Sequence, residues 1–282
     1  MKATLVAFML ALLAMPLAAQ FGPPPPADPN APTPRLANGK PDLTGSWQSV
    51  SGGLQGSGGN MFRRCTPFQS KQCMEWTNQS QDWVFMSATR LDEHQPLYKP
   101  EHWDKIIELD QWTNKYDPVM TCLPLGIPRQ GPPARIFHTE TDITMLYRGG
   151  VDGGGGYAEH RMIPLDGKPH DPRRAAQYTY MGYAVGRWEG DTLVLDSIGF
   201  SDETWLGRGG WFHSDQMRVI EKLTRKGNEL LYEVTVEDPE VLVKPWVIPP
   251  RTLRLAANPI IIPERGSCTE SELKEVSTQM RH

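Results

Sequence analysis

Met217-Arg-Val-Ile-Glu-Lys-Leu-Thr224, Arg225-Lys-Gly-Asn-Glu229 and Leu230-Leu-Tyr-Glu-Val-Thr-Val-Glu237 are two alternating runs around a turn-forming centre. Leu230, Tyr232, Val234 and Val236 fall on one side of the second run, and Leu231, Glu233, Thr235 and Glu237 on the other. Side chains of an extended chain point alternately to opposite faces, so a period of two describes strands with one buried face. Glycine and asparagine at the centre supply hairpin turn chemistry.

The same pattern extends in both directions. Tyr180 to Trp188 and Thr192 to Ser197 flank Glu189-Gly-Asp191, and Arg135 to His138 and Ile143 to Arg148 flank Glu140-Thr-Asp142. Leu43 to Val50, Tyr157 to Ile163 and Arg251 to Leu255 read as further strands. One helix is expected after Pro100, a residue suited to a first helical position. Glu101 favours the positive dipole end, and Trp103, Ile106 and Ile107 mark one face. Consecutive hairpins with few helices predict a mainly β fold: an antiparallel barrel or sandwich with one or two short helices and long loops.

Upstream of the strands the chain reads differently. Lys2, the uncharged stretch Ala3 to Met15 and the small residues near Ala18–Ala19 have the order of a secretory signal peptide over residues 1–20. The apolar run is too short to cross roughly 30 Å of hydrocarbon, and no later stretch is long and apolar enough. Residues 21–42 hold Pro23 to Pro26, Pro29, Pro32, Pro34 and Pro41, which predicts an extended linker. Residues 43–282 then form a single β-rich domain, expected in the periplasm or secreted. Formal charge is −4 and the cationic residues are scattered, which argues against a nucleic-acid partner. In an oxidising compartment Cys65–Cys73 would be a local clip and Cys122–Cys268 a long-range staple, with a four-cysteine zinc site as the rival. No C-x-x-C pair is present, and the sequence says nothing of oligomeric state.

Gly45-Ser46-Trp47 ahead of a β-meander resembles the G-x-W opening of lipocalin-like, or calycin, barrels. A broader set of segments is similar to an uncharacterised family of exported bacterial β-rich proteins. These are Asn38-Gly-Lys-Pro-Asp-Leu-Thr-Gly-Ser-Trp47, Cys122-Leu-Pro-Leu-Gly-Ile-Pro-Arg129, Gly186-Arg-Trp-Glu-Gly-Asp-Thr-Leu-Val-Leu-Asp196, Gly210-Trp-Phe-His-Ser214, Glu237-Asp-Pro239 and Pro245-Trp246. The resemblance implies an exported barrel and carries no activity.

Chemistry is densest between two expected strands, over residues 198–216. A connection that long inside a compact domain is often a lid or binding loop. Trp205, Arg208, Trp211 and Phe212, with Tyr183 nearby, are candidates for holding a ligand. His213 is a candidate base, Asp215 its orienting partner if the chain is extended, and Glu203 or Glu221 the acid. The alternative is a loop folded over a barrel end with its tryptophans plugging the core. Glu221 shares a strand face with Met217, Val219 and Leu223. It is therefore a buried acid in a pocket, an edge residue, or an internal salt bridge to an arginine.

Other signatures are incomplete. His138-Thr-Glu-Thr-Asp142, with His160 and His170, offers metal ligands without an H-x-H or H-E-x-x-H pattern, so no metal is expected. Asp152-Gly-Gly-Gly-Gly156 lacks a phosphate-loop lysine, and Gly56-Ser57-Gly58 lacks the full nucleophile elbow. No organic cofactor is implied. The expectation is an exported β-barrel binding a small apolar, aromatic or sugar-like molecule under the 198–216 loop. A cofactor-independent lyase, isomerase or hydrolase using His213 is the alternative. An envelope-associated structural domain is a third reading.

Overall fold

The structure, a computed structural model, describes residue 28 and residues 31–49, 96–121, 123–148, 158–207 and 210–262. The signal segment, the four cysteines, Arg208, Ser57 and the 152–156 glycine run lie outside the described residues.

The Met217–Glu237 hairpin is strand β9 (Arg218–Lys226) and strand β10 (Glu229–Glu237). They pair from Glu229↔Lys226 to Glu237↔Arg218, so the turn is only Gly227-Asn228, tighter than the five-residue bracket expected. Gly227 adopts φ +57°, a left-handed conformation that a two-residue turn favours and that glycine adopts without a Cβ clash. Every second residue, from Val219 to Arg225 and from Leu230 to Val236, is buried, as the alternation requires.

Nine strands form one antiparallel sheet. In chain order they are β1 (Gly45–Ser49), β2 (Arg135–His138), β3 (Asp142–Leu146), β4 (His160–Pro164), β5 (Tyr183–Glu189), β6 (Thr192–Ile198), β9, β10 and β11 (Trp246–Leu255). Their spatial order is β4-β3-β2-β1-β11-β10-β9-β6-β5, a nearly closed barrel. Strand β11 starts earlier than expected because Pro249-Pro250 interrupts it. Its register against β10 shifts between Tyr232 and Val234, as a bulge absorbs residues that lack N–H donors. Between residues 198 and 216 the expected long loop contains a small hairpin of its own, β7 (Trp205–Gly207) and β8 (Trp211–Phe212).

An odd number of strands, each antiparallel to the next, leaves the first and last pointing the same way. Strands β4 and β5 are thus parallel where the barrel closes; they lie side by side without a ladder of hydrogen bonds. Parallel neighbours need a crossover connection, and residues 165–182 provide it with the short helix α3 (Pro172–Ala175). The earlier helices are α1 (Trp103–Gln111) and α2 (Thr113–Tyr116). Pro100 opens a 3-10 turn, Pro100–His102, that leads directly into α1. Ile106 of α1 is buried in the core. Among the described residues, no helix is long and apolar enough to cross a membrane.

The second half of the Pro-rich tract is laid on this body. Arg35 bridges Pro41 and makes a two-point ion pair with Asp191 in the β5–β6 turn, at 2.9 and 2.6 Å. Lys40 Nζ donates to Gly190 O at 3.2 Å. The tract then leads to Leu43 and Trp47, both buried. The Trp47 indole N–H donates to Leu43 O at 3.0 Å, and the Arg225 guanidinium lies over its ring at 5.2 Å.

Candidate functional site

The barrel interior carries a charged cluster. Glu221 points inward from β9, fully buried between Leu195 and Val234 on the flanking strands. Arg161 reaches it from β4, on the other side of the closing seam, and donates from Nη2 to Oε1 at 2.8 Å. Oε2 lies 2.7 Å from the same nitrogen, and the Tyr232 hydroxyl donates to Oε1 at 2.7 Å. Arg161 also donates to the Tyr147 hydroxyl, from Nε at 2.8 Å and from Nη2. Burial works against the Arg161 charge, but Glu221 and the two phenols more than offset it, so the pKa rises further above its ordinary value. Burial pushes both tyrosines up; at Tyr147 the guanidinium partly reverses this, and at Tyr232 the Glu221 carboxylate adds to it. Of the three readings of Glu221, the geometry matches an internal salt bridge to an arginine.

The described aromatic side chains of residues 198–216, and His213 with them, belong to the core rather than to an open mouth. Trp205, Trp211, Phe212 and His213 are all buried. Trp211 meets Trp246 edge-on at 6.1 Å. Phe212 packs against Tyr98 and His102, with Lys105 Nζ 3.6 Å above its ring. The Tyr98 hydroxyl donates to Phe212 O at 2.6 Å, so Phe212 is held through both ring and carbonyl. These rings are already used in packing.

The expected His213–Asp215 dyad does not form. His213 Nδ1 lies 2.8 Å from Ser214 O and Nε2 2.7 Å from Thr204 Oγ1. A carbonyl only accepts, so the neutral ring carries its proton on Nδ1 and accepts the Thr204 hydroxyl proton at Nε2. Burial lowers the His213 pKa; the Ser214 carbonyl and the Asp238 and Asp202 charges only partly oppose this. Asp215 is exposed and accepts from Gln216 Nε2 at 3.1 Å. The carboxylate that organises this turn is Asp238, which accepts from Ser214 N at 2.7 Å and Ser214 Oγ at 2.8 Å. Sequence spacing could not reveal it, because Asp238 arrives from the end of β10. Glu203 is exposed and accepts from Ser201 Oγ at 3.2 Å. His213, Asp215, Glu203 and Glu221 are therefore not assembled around one reacting position.

Two other sequence candidates have structural partners. His138 Nδ1 accepts from Leu43 N at 3.3 Å, and the ring packs on Trp188. Asp142 instead accepts from Thr139 and Thr141 in the β2–β3 turn. Among the described residues, no group of three His, Cys, Asp or Glu is arranged to hold a metal. Arg129 is buried in a two-point pair with Asp117 at 2.7 Å.

Tyr183 is placed differently. It opens β5 at one end of the seam, where the barrel wall parts into a cleft of about 320 Å³. Residues 159–163 form one wall, and 179–184 with Arg174 form the other. Tyr183 is held from three sides: Arg174 lies 4.4 Å above its ring, His170 meets it edge-on at 5.4 Å, and its hydroxyl accepts from Asp171 N at 3.4 Å. The 198–216 segment supports this wall from behind. Phe200 bridges to Thr179 and fills the space under Gly182, whose φ of +69° leaves no room for a Cβ, 2.5 Å from that ring. Arg161 lines the cleft and also belongs to the buried cluster, joining the two. Apart from Tyr183, sequence reasoning missed the cleft, because its walls come from strands unrelated by any local pattern.

No protein-family model, curated protein or solved structure matches the chain, which leaves the geometry of its own residues as the basis for a function.

Proposed function

We propose that the protein is an exported β-barrel that binds a small molecule in the cleft at the β4–β5 seam. The observation that carries this reading is the coincidence of three features at one place. The barrel wall is unzipped there, the opening is about 320 Å³, and its walls present Tyr180, Tyr183, Met162 and Met181 beside cationic side chains. Ligand sites are typically concave, with a few placed polar groups and volumes of roughly 300–1,000 Å³. This cleft stands at the small end, suited to a one- or two-ring molecule. The ligand therefore lies beside the 198–216 segment rather than beneath its tryptophans, with Phe200 backing the wall.

A crystallographic soak with a library of one- and two-ring fragments tests the reading directly. Fragments should collect between Tyr183 and Met162. A screen that fills other surfaces and leaves this cleft empty removes the proposal.

A further inference from the structure

Resting on the cleft as a binding site, we infer that its ligand is a small aromatic acid whose carboxylate is taken by Arg174. The lining side chains include His160, Arg161 and Arg174 against a single carboxylate, Glu159. Arg161 is already neutralised by Glu221, so its charge is not available to a ligand. Arg174 is different. Among the described residues its guanidinium has no carboxylate or carbonyl partner, and it lies 4.4 Å over the Tyr183 ring. Stacking on an aromatic face fixes the plane of a guanidinium while leaving the edge N–H groups free. Such an edge matches a carboxylate with two parallel hydrogen bonds.

The position of Arg174 is also fixed. Asp171 caps α3 by accepting from Arg173 N at 2.9 Å, Pro172 occupies the first turn, and Asp171 N donates to Tyr183. Tyr183 thus anchors the helix that carries the arginine stacked upon it. Beside this edge stand Tyr180 and Tyr183, with Met162, which is 70% exposed, and Met181. Phenol faces and thioethers suit an aromatic ring. A ring against these walls with its carboxylate on Arg174 uses both features, whereas a neutral sugar would leave the cation unused.

Calorimetric or NMR titration of the mature full-length protein tests this, using benzoate, indole-3-acetate and the neutral benzamide as probes. The acids should bind more tightly than benzamide, and their affinity should fall with added salt. Arg174→Gln should weaken benzoate about tenfold, the scale of one charge-assisted pair, and leave benzamide unchanged. Tyr183→Ala should weaken all three, and Arg173→Gln none. Equal binding of benzoate and benzamide, or no effect of Arg174→Gln on benzoate, overturns the acid assignment while leaving the cleft a binding site. Failure of all three probes together with an empty cleft in the fragment soak overturns both.

Discussion

Replacing Glu221 by glutamine isolates one charge at the centre of the barrel. Glutamine keeps the shape and an acceptor for the Tyr232 hydroxyl, but it leaves the Arg161 cation in the interior without its counter-charge. Glu221 is fully buried and the guanidinium nearly so, and the pair is joined at 2.7 and 2.8 Å. Removing one partner of such a pair costs about 3–5 kcal/mol, because the remaining charge has already been taken out of water. The location argues for the upper half of that range. Arg161 on edge strand β4 and Glu221 on β9, two strands in from edge strand β5, stand on opposite sides of the seam where β4 and β5 share no ladder hydrogen bonds, so the pair links the two sides across the barrel interior where backbone pairing does not. At about 2–4 °C per kcal/mol for a domain of this size, Glu221→Gln should lower the melting temperature by roughly 8–20 °C. Urea unfolding followed by circular dichroism and tryptophan fluorescence provides the free energy. The double variant Glu221→Leu with Arg161→Met should recover much of the loss, since no buried charge is left stranded. A single-variant cost below about 1 kcal/mol, or a double variant no better than the single, would refute the stitching role.

Two further outcomes follow from His213 and the cleft wall. Burial holds the folded-state His213 pKa below its ordinary 6.5, so below that pH the unfolded chain takes up a proton that the folded chain resists. The stability contribution of neutral His213 is present above pH 6.5 and is lost as pH falls through the folded value. His138 is shifted the same way by burial and adds to the slope. Chemical-denaturation midpoints measured from pH 7.5 to 5 should fall, and His213→Gln should flatten the fall; an equally steep slope in that variant would contradict the assignment. Gly182→Ala should cost about 2–4 kcal/mol, combining a left-handed backbone with a Cβ driven against the Phe200 ring. It should also abolish ligand binding in the cleft. A melting temperature matching the parent would show that the wall yields there.

The sequence alone determined most of the strands of the main sheet, though not the β7–β8 hairpin or the start of β11. A period of two in β9 and β10, and turn residues such as Gly190-Asp191 and Gly227-Asn228, are local properties, because alternation and left-handed turns depend only on neighbouring residues. The same local logic marked Glu221 as unusual, a carboxylate on an apolar face. Its errors were of one kind. His213 and Asp215 have the spacing of a dyad on an extended chain, but the chain turns at Ser214, which Asp238 caps from the end of β10. Trp205, Trp211 and Phe212 read as ligand-facing because residue type does not say what packs on a ring; Trp246, Tyr98 and Lys105 decide that from elsewhere in the chain. The partner of Glu221 and the cleft itself belong wholly to the tertiary structure. Both depend on β4 meeting β5 across a closure that is parallel because the strand number is odd, and no pattern within either strand carries that information.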